Sequence, residues 1–174
     1  GATDYKRAYD GDKGPNTGGM GSYSPPKVWN NDIENTIIKN VFEPVIGYMS
    51  SIGNPYTGVL YAGLIVTSDG IKVLEFNCRF GDPETQVLLP RMETDLLSVM
   101  QHTAMSGISG IDIKWDPRPC VGLVVASNGY PASYSVGKKI NGLGRTDTLV
   151  NVFHAGTSLS GDEILTSGGR VLAV

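Results

Sequence analysis

Cysteine and histidine are scarce in this chain, with two copies each among 174 residues. Cys78 and Cys120 are too few for a disulfide framework, so both are read as reduced thiols and the compartment as cytosolic. Charge is thin as well. Charged residues make up 18% and the net charge is −3, which argues against a general nucleic-acid or membrane-surface binder. No apolar run reaches the length of a membrane span, and no leader segment is visible. An initiating methionine is also lacking: the chain begins "GATDYKR" and stops at "GGRVLAV", on what reads as a strand. Both ends look cut, so a longer parent protein is expected.

What is present is a chain able to build a core, 40% apolar, with 23 glycines that cluster. Residues 1–29 are polar and rich in Gly and Pro, and read as a long loop after a short extended piece at Thr3 to Tyr9. A helix should follow, capped by Asn31 with Glu34 three residues on. Ile33, Ile37, Ile38, Val41, Phe42, Val45, Ile46, Met49 and Ile52 recur at helical spacing. Pro44 inside that pattern predicts a kink or break, and Gly53 and Pro55 predict the end. "GVLYAGLIVTSDGIKVLEFNCRF" reads as a hairpin turning at Ser68, Asp69 and Gly70. A second helix is expected from Glu93 to Met105, with Leu96, Leu97 and Met100 inward. Beyond "KWDPRP" the chain becomes β-rich and turn-rich. The domains are therefore set at 1–117 and 118–174.

The second hairpin strand carries the first chemical signal, "LEFNCRFGDPETQ" at residues 74–86. By alternation Leu74, Phe76 and Cys78 face the core, while Val73, Glu75, Asn77 and Arg79 face the other way. Neighbours in that row stand ~7 Å apart, close enough to share a bound group. Glu75 and Asn77 offer hard oxygens, the set magnesium prefers alongside phosphate oxygens and water. Arg79 offers a donor fork suited to phosphate or carboxylate. Two readings stand here: a Mg²⁺–phosphate assembly, or a solvated sheet face with a Glu–Arg pair. Asp82 and Glu84 follow, on either side of a helix start expected at Pro83.

The second signal is "GPNTGGMG", which places Gly14, Gly18, Gly19 and Gly21 within eight residues. Such a run can turn backbone N–H groups inward to hold an anion, or can be a mobile linker. It has neither the P-loop nor the dinucleotide spacing. Asn16 and Thr17 add donors, and Asp4, Lys6, Arg7 and Lys13 add charge for a sugar phosphate.

Together, "GPNTGGMGSYSP" and "LEFNCRFGDPETQ" resemble the glycinamide ribonucleotide synthetase (phosphoribosylamine–glycine ligase) family. "DYKR", "YTGVLYAGL", "GYP", "VFHAGT" and "GGRVLAV" agree, so the resemblance covers nearly the whole chain. It implies an α+β fold: the C-terminal half of an ATP-grasp domain, an antiparallel sheet with flanking helices, followed by a small β-rich domain that is cut short. The implied reaction joins glycine to 5-phosphoribosylamine with ATP, through glycyl phosphate, in purine biosynthesis. The implied metal is Mg²⁺ or Mn²⁺, held by Glu75 and Asn77. Arg79 and Asp82 take catalytic roles. Asp4, Lys6, Arg7, Asn16, Thr17, Gly18, Gly19, Gly21 and Glu84 take the substrate and phosphate. The family's N-terminal domain and ATP lid have no counterpart here, so a missing N-terminal half is the implied partner, and no nucleic acid or membrane is. The rival readings are another ATP-grasp carboxylate–amine ligase and a non-catalytic binding fragment.

Lesser residues have plainer roles. His154 is expected to donate to a nearby carbonyl rather than act as a base, and His102 to sit late on a helix surface. Cys78 is read as inert, and Trp29 and Trp115 as packing residues.

Overall fold

A computed structural model describes residues 1–105, 107–145 and 150–174. In chain order the strands are β1 (Thr3–Asp4), β2 (Arg7–Tyr9), β3 (Lys13–Asn16), β4 (Gly21–Ser24), β5 (Tyr61–Thr67), β6 (Gly70–Asn77), β7 (Cys120–Ala126), β8 (Phe153–His154), β9 (Thr157–Ser160), β10 (Glu163–Thr166) and β11 (Arg170–Ala173). The α-helices are α1 (Asn31–Ile37), α2 (Glu43–Ser51), α3 (Thr85–Leu88) and α4 (Leu96–Met105). The chain forms two compact units. The first joins Gly1–Pro25, Asp82–Pro90 and Pro119–Val174; the second joins Pro26–Gly81 and Arg91–Arg118. The sequence-based cut after residue 117 falls beside one of the points where the chain passes between units; the other crossings leave no such mark in composition.

The first unit is built on a five-stranded antiparallel sheet in the order β1-β4-β7-β11-β8. Residues 1–25 thus share a sheet with the β-rich end. The expected long loop is in fact the β2–β3 hairpin, turning through Gly11 and Asp12 at φ 71° and 57°, followed by β4. Its glycines hid a strand. A Cβ on Gly21 would come 2.7 Å from the Gly122 carbonyl, and one on Gly122 would come 2.9 Å from Val87 Cγ1. Small residues on β4 and β7 therefore let α3 lie flat on the sheet. Val87 is fully buried there, and Ser22 Oγ donates to the Pro83 carbonyl at 2.8 Å. Val124, Val171, Leu172 and Ala173 complete this core. The "NVFHAG" and "RVLAV" runs form β8 and β11, and β9 and β10 pair as a hairpin around Gly161.

In the second unit the cap is Asn30, one residue earlier than expected: its side chain accepts from Ile33 N at 2.8 Å. Pro44 does not break the helix. A π-helical turn over Ile38–Phe42 precedes α2, with Pro44 in the first turn of α2, where its missing N–H costs least. The end is a Schellman motif: Asn54 N donates to Met49 O and Gly53 N to Ser50 O, with Gly53 at φ 80°. Ile37 and Val41 are buried, but Ile38, Ile46 and Ile52 are exposed, so the apolar stripe is wider than the face it covers. Asp95 caps α4, accepting from Ser98 N at 2.8 Å, which holds the Asp95 carboxyl below its ordinary range. The helix begins at Leu96 rather than Glu93; Val99 is buried and Leu97 points out. Trp115 is also exposed, not packed as expected.

The β5–β6 hairpin turns at Ser68 and Asp69 as predicted, but its register shifts between Gly63 and Leu64, leaving Leu74 as an extra residue. This bulge resets the alternation: Val73 pairs with Leu64, on the face opposite Glu75. Leu74, Phe76 and Cys78 do not reach a core either. Leu74 is 69% exposed and the other two are exposed as well, because the hairpin is a two-stranded sheet of its own.

Candidate functional site

The residues singled out by sequence fall into both units. On β6, Glu75 pairs with Gly63 and Asn77 with Tyr61. A Cβ on Gly63 would lie 2.9 Å from Glu75 Cγ and 3.5 Å from Tyr61 Cε1, so the glycine opens a berth over which the Glu75 side chain lies. Among the described residues no hydrogen bond or ion pair occupies the Glu75 carboxylate or the Asn77 amide. The Glu–Arg pair of the plainer reading does not form. Arg79 lies past the strand end, and its Nη1 donates to Phe80 O at 2.8 Å. Two hard oxygens, two residues apart on one face, fit a divalent metal that takes its other ligands from phosphate and water. Among the described residues no cluster of three His, Cys, Asp or Glu forms a metal cage.

In the first unit the glycine-rich run does not build the expected cradle of inward N–H groups. Thr17 N donates to Lys6 O at 2.7 Å, Gly19 N to Thr17 Oγ1 at 3.0 Å, and Met20 N to Tyr5 O at 2.7 Å. Gly18 N donates to the Tyr130 hydroxyl at 3.0 Å. These four amides are spent within the chain, and Gly14, Gly18, Gly19 and Gly21 each sit where a Cβ would crowd a neighbour. Gly19, at φ 115°, is pressed against Pro83, and a Cβ there would come 2.7 Å from Asp4 Oδ1. Thr17 Oγ1 is committed too, donating to Lys6 O at 2.8 Å.

Charge is arranged in two tiers. Asp4 lies underneath, its side chain 9% exposed, with Lys6 Nζ 2.6 Å from Oδ2. That is an ion contact; neither Asp4 oxygen receives a hydrogen bond of good geometry, and both are buried. Burial pushes the Asp4 carboxyl above its ordinary value, with Glu84 adding to the rise and Lys6 and Arg170 opposing it. Glu84 is 4% exposed. Asp4 and Glu84, both expected to touch substrate, thus lie beneath the surface. Lys6, Arg7, Lys13 and Asn16 stand outward on and beside the β2–β3 hairpin, with Arg7 Nη1 donating to Asn16 Oδ1 at 3.3 Å. The outward charge here is carried by side-chain cations, while the amides of residues 17–20 bond within the chain.

Asp82 is also engaged. Its Oδ2 accepts from Arg170 Nη2 at 3.1 Å, and its Oδ1 from Arg170 Nη1 at 3.3 Å and from Gln86 Nε2 at 3.0 Å. A carboxylate so committed orients its neighbours and is poorly placed as a free acid or base. Arg170 and Tyr130 escaped sequence reasoning; a lone arginine opening an apolar strand in "GGRVLAV" was the available signal. His154 Nδ1 meets Thr157 Oγ1 at 3.0 Å, a hydroxyl rather than the expected carbonyl. His102 Nδ1 lies 2.9 Å from Ser98 O, on the surface of α4.

Exposed cations stand over a buried carboxylate in one unit, and a pair of hard oxygens lies on the hairpin of the other, in a chain of mixed α and β structure. The family models carry this further. Residues 1–85 match the phosphoribosylglycinamide synthetase ATP-grasp (A) domain, and residues 120–174 the C domain of the same synthetase. The chain belongs to the phosphoribosylglycinamide synthetase family. It is 47% identical over 171 residues to the phosphoribosylamine–glycine ligase of Vibrio cholerae, covering 97% of this chain and 40% of that protein. The Pseudomonas aeruginosa ligase is likewise 47% identical, with the same coverage. The crystal structure of the Thermotoga maritima ligase superposes with a TM-score of 0.84 at 32% identity, over 99% of this chain and 42% of that one. The chain therefore spans about two-fifths of the relatives it matches.

Proposed function

We propose that this chain is part of an ATP-dependent phosphoribosylamine–glycine ligase of purine biosynthesis, acting in the cytoplasm. The observation that carries the reading is an unspent pair of hard oxygens, Glu75 and Asn77, on the hairpin of a chain from this family. In the ligation a glycine carboxylate oxygen attacks the γ-phosphorus of ATP and ADP leaves. The amine nitrogen of 5-phosphoribosylamine then attacks the acyl carbon of glycyl phosphate, and phosphate leaves. Such chemistry asks the protein for positioning and charge neutralisation more than for a covalent group. A bound Mg²⁺ or Mn²⁺ would neutralise developing phosphate charge, held by Glu75 and Asn77. Arg79 would meet the phosphoryl group or the glycine carboxylate with its exposed guanidinium. Lys6, Arg7 and Asn16 would take the sugar phosphate, with Thr17, Gly18, Gly19 and Gly21 shaping the support and Asp4 and Glu84 anchoring it. Residues 1–117 are assigned to the ATP-grasp part and 118–174 to the C-terminal domain.

The test follows ADP with the intact ligase carrying this sequence, ATP, a divalent metal, glycine and freshly made phosphoribosylamine. ADP formation should require both glycine and the amine. Formation that ignores glycine and follows another acid would move the protein to a different ATP-grasp carboxylate–amine ligase. No formation with any acid would leave a binding fragment.

A further inference from the structure

Arg170 opens β11, far in sequence from the glycine-rich turn, yet its guanidinium lies flat on that turn. A Cβ on Gly18 would come 2.9 Å from Arg170 Cζ and 3.0 Å from Nε and Nη2. Nη1 donates to Gly18 O at 3.0 Å, to Asp82 O at 3.1 Å and toward Gly19 O at 3.5 Å. Asp82 closes the other side of the fork through both carboxylate oxygens. The pair is only partly open to solvent, at 22% for the arginine side chain and 48% for the aspartate. Charge-assisted bonds with this planar, two-pronged geometry fix direction as well as distance.

The consequences run along the chain. Gly18 is gripped at both backbone groups from the C-terminal part, its N–H by Tyr130 and its carbonyl by Arg170. Gly19 N then holds Thr17 Oγ1, which donates to Lys6 O, and Thr17 N donates to the same carbonyl. The turn that Arg170 clamps is thus bonded to the backbone of Lys6, an outward cation next to the β2–β3 hairpin. We propose that Arg170 is a positioning residue for the sugar-phosphate subsite, acting with Asp82 through the Gly18–Gly19 turn to set where Lys6 stands. The proposal rests on the functional reading above, since it names which substrate should feel the clamp.

The test uses the intact ligase and two readouts. In Arg170→Met the KM for phosphoribosylamine should rise about tenfold, while the KM values for ATP and glycine stay within about twofold. Arg170→Lys should not rescue it, because an ammonium keeps the charge but not the fork. Asp82→Asn combined with Arg170→Met should be no worse than Arg170→Met alone, since both remove one linkage. Hydrogen exchange in the peptide spanning residues 17–20 should quicken about tenfold or more in Arg170→Met, with β7 protection retained. A KM rise shared by all three substrates, rescue by lysine, or unchanged exchange at residues 17–20 would each overturn the proposal. If the wild-type enzyme uses a different amine, the functional reading falls, and the clamp is judged by exchange and by the KM for that amine.

Discussion

Gly19 and Asp4 are held together by one close approach, and each answers to a different perturbation. Gly19 occupies φ 115° with Pro83 against its Cα and Asp4 Oδ1 beneath it. An alanine there combines an unfavourable backbone region with a methyl group in occupied space. The backbone strain alone is of order 1–3 kcal/mol, so Gly19→Ala should lower the urea midpoint of unfolding at an unchanged slope. A midpoint equal to the wild type would show that the turn gives way freely. Asp4 is a matter of pH. Its carboxyl is raised above the ordinary 3.8 chiefly by burial, so the folded state holds its proton more tightly than the unfolded chain does. Stability from this group is therefore fully present below 3.8 and is lost as pH rises through the higher folded value. Unfolding free energies of wild type and Asp4→Asn, compared from about pH 3 to about pH 6, should diverge in the variant's favour as pH rises. A difference that stays flat would mean that Lys6 and Arg170 fully offset the burial.

At the scale of elements, the sequence was most legible where a local rule decides the outcome. The hairpin turn at Ser68 and Asp69 and the helix end at Gly53 followed from turn and cap chemistry. The cap itself slipped from Asn31 to Asn30, since adjacent asparagines offer the same side chain and only the entry angle chooses between them. The Leu74 bulge left no such trace: two-strand register is set by pairing, and a single inserted residue looks like ordinary alternation. Glu75 and Asn77 nevertheless stayed on one face, because they lie on the same side of the bulge. Gly63 is what leaves Glu75 its berth. Gly63→Val in the intact ligase should therefore raise the Mg²⁺ concentration for half-maximal activity, in the same direction as Glu75→Gln, which removes the charge outright. Magnesium titrations matching the wild type in both variants would remove the metal from this strand.

At the scale of the whole molecule, the sheet was the least legible feature. Pairing β4 with β7 joins residues about a hundred positions apart, a closure whose entropic cost grows only slowly with the length of the loop, and nothing local in "GSYS" announces it. The same sheet shows Val121 and Leu123 at 73% and 64% exposure, and the hairpin leaves Leu74, Phe76, Ile65 and Val66 in water. The groups proposed for metal and phosphoryl transfer thus stand on an open hairpin. Water reaches them, and an acyl phosphate formed there would be hydrolysed before an amine arrived. Effective positioning of three substrates also needs walls on more than one side. The 174-residue chain by itself is therefore expected to form no glycine-dependent ADP, although weak binding of Mg²⁺ at Glu75 and Asn77 or of a sugar phosphate at Lys6 and Arg7 is compatible with the geometry. The measurement is ADP release from the purified chain with ATP, Mg²⁺, glycine and fresh phosphoribosylamine, against a blank without glycine. Release well above that blank would mean that the further length of the relatives is dispensable for chemistry, or that a second copy of this chain supplies the missing walls.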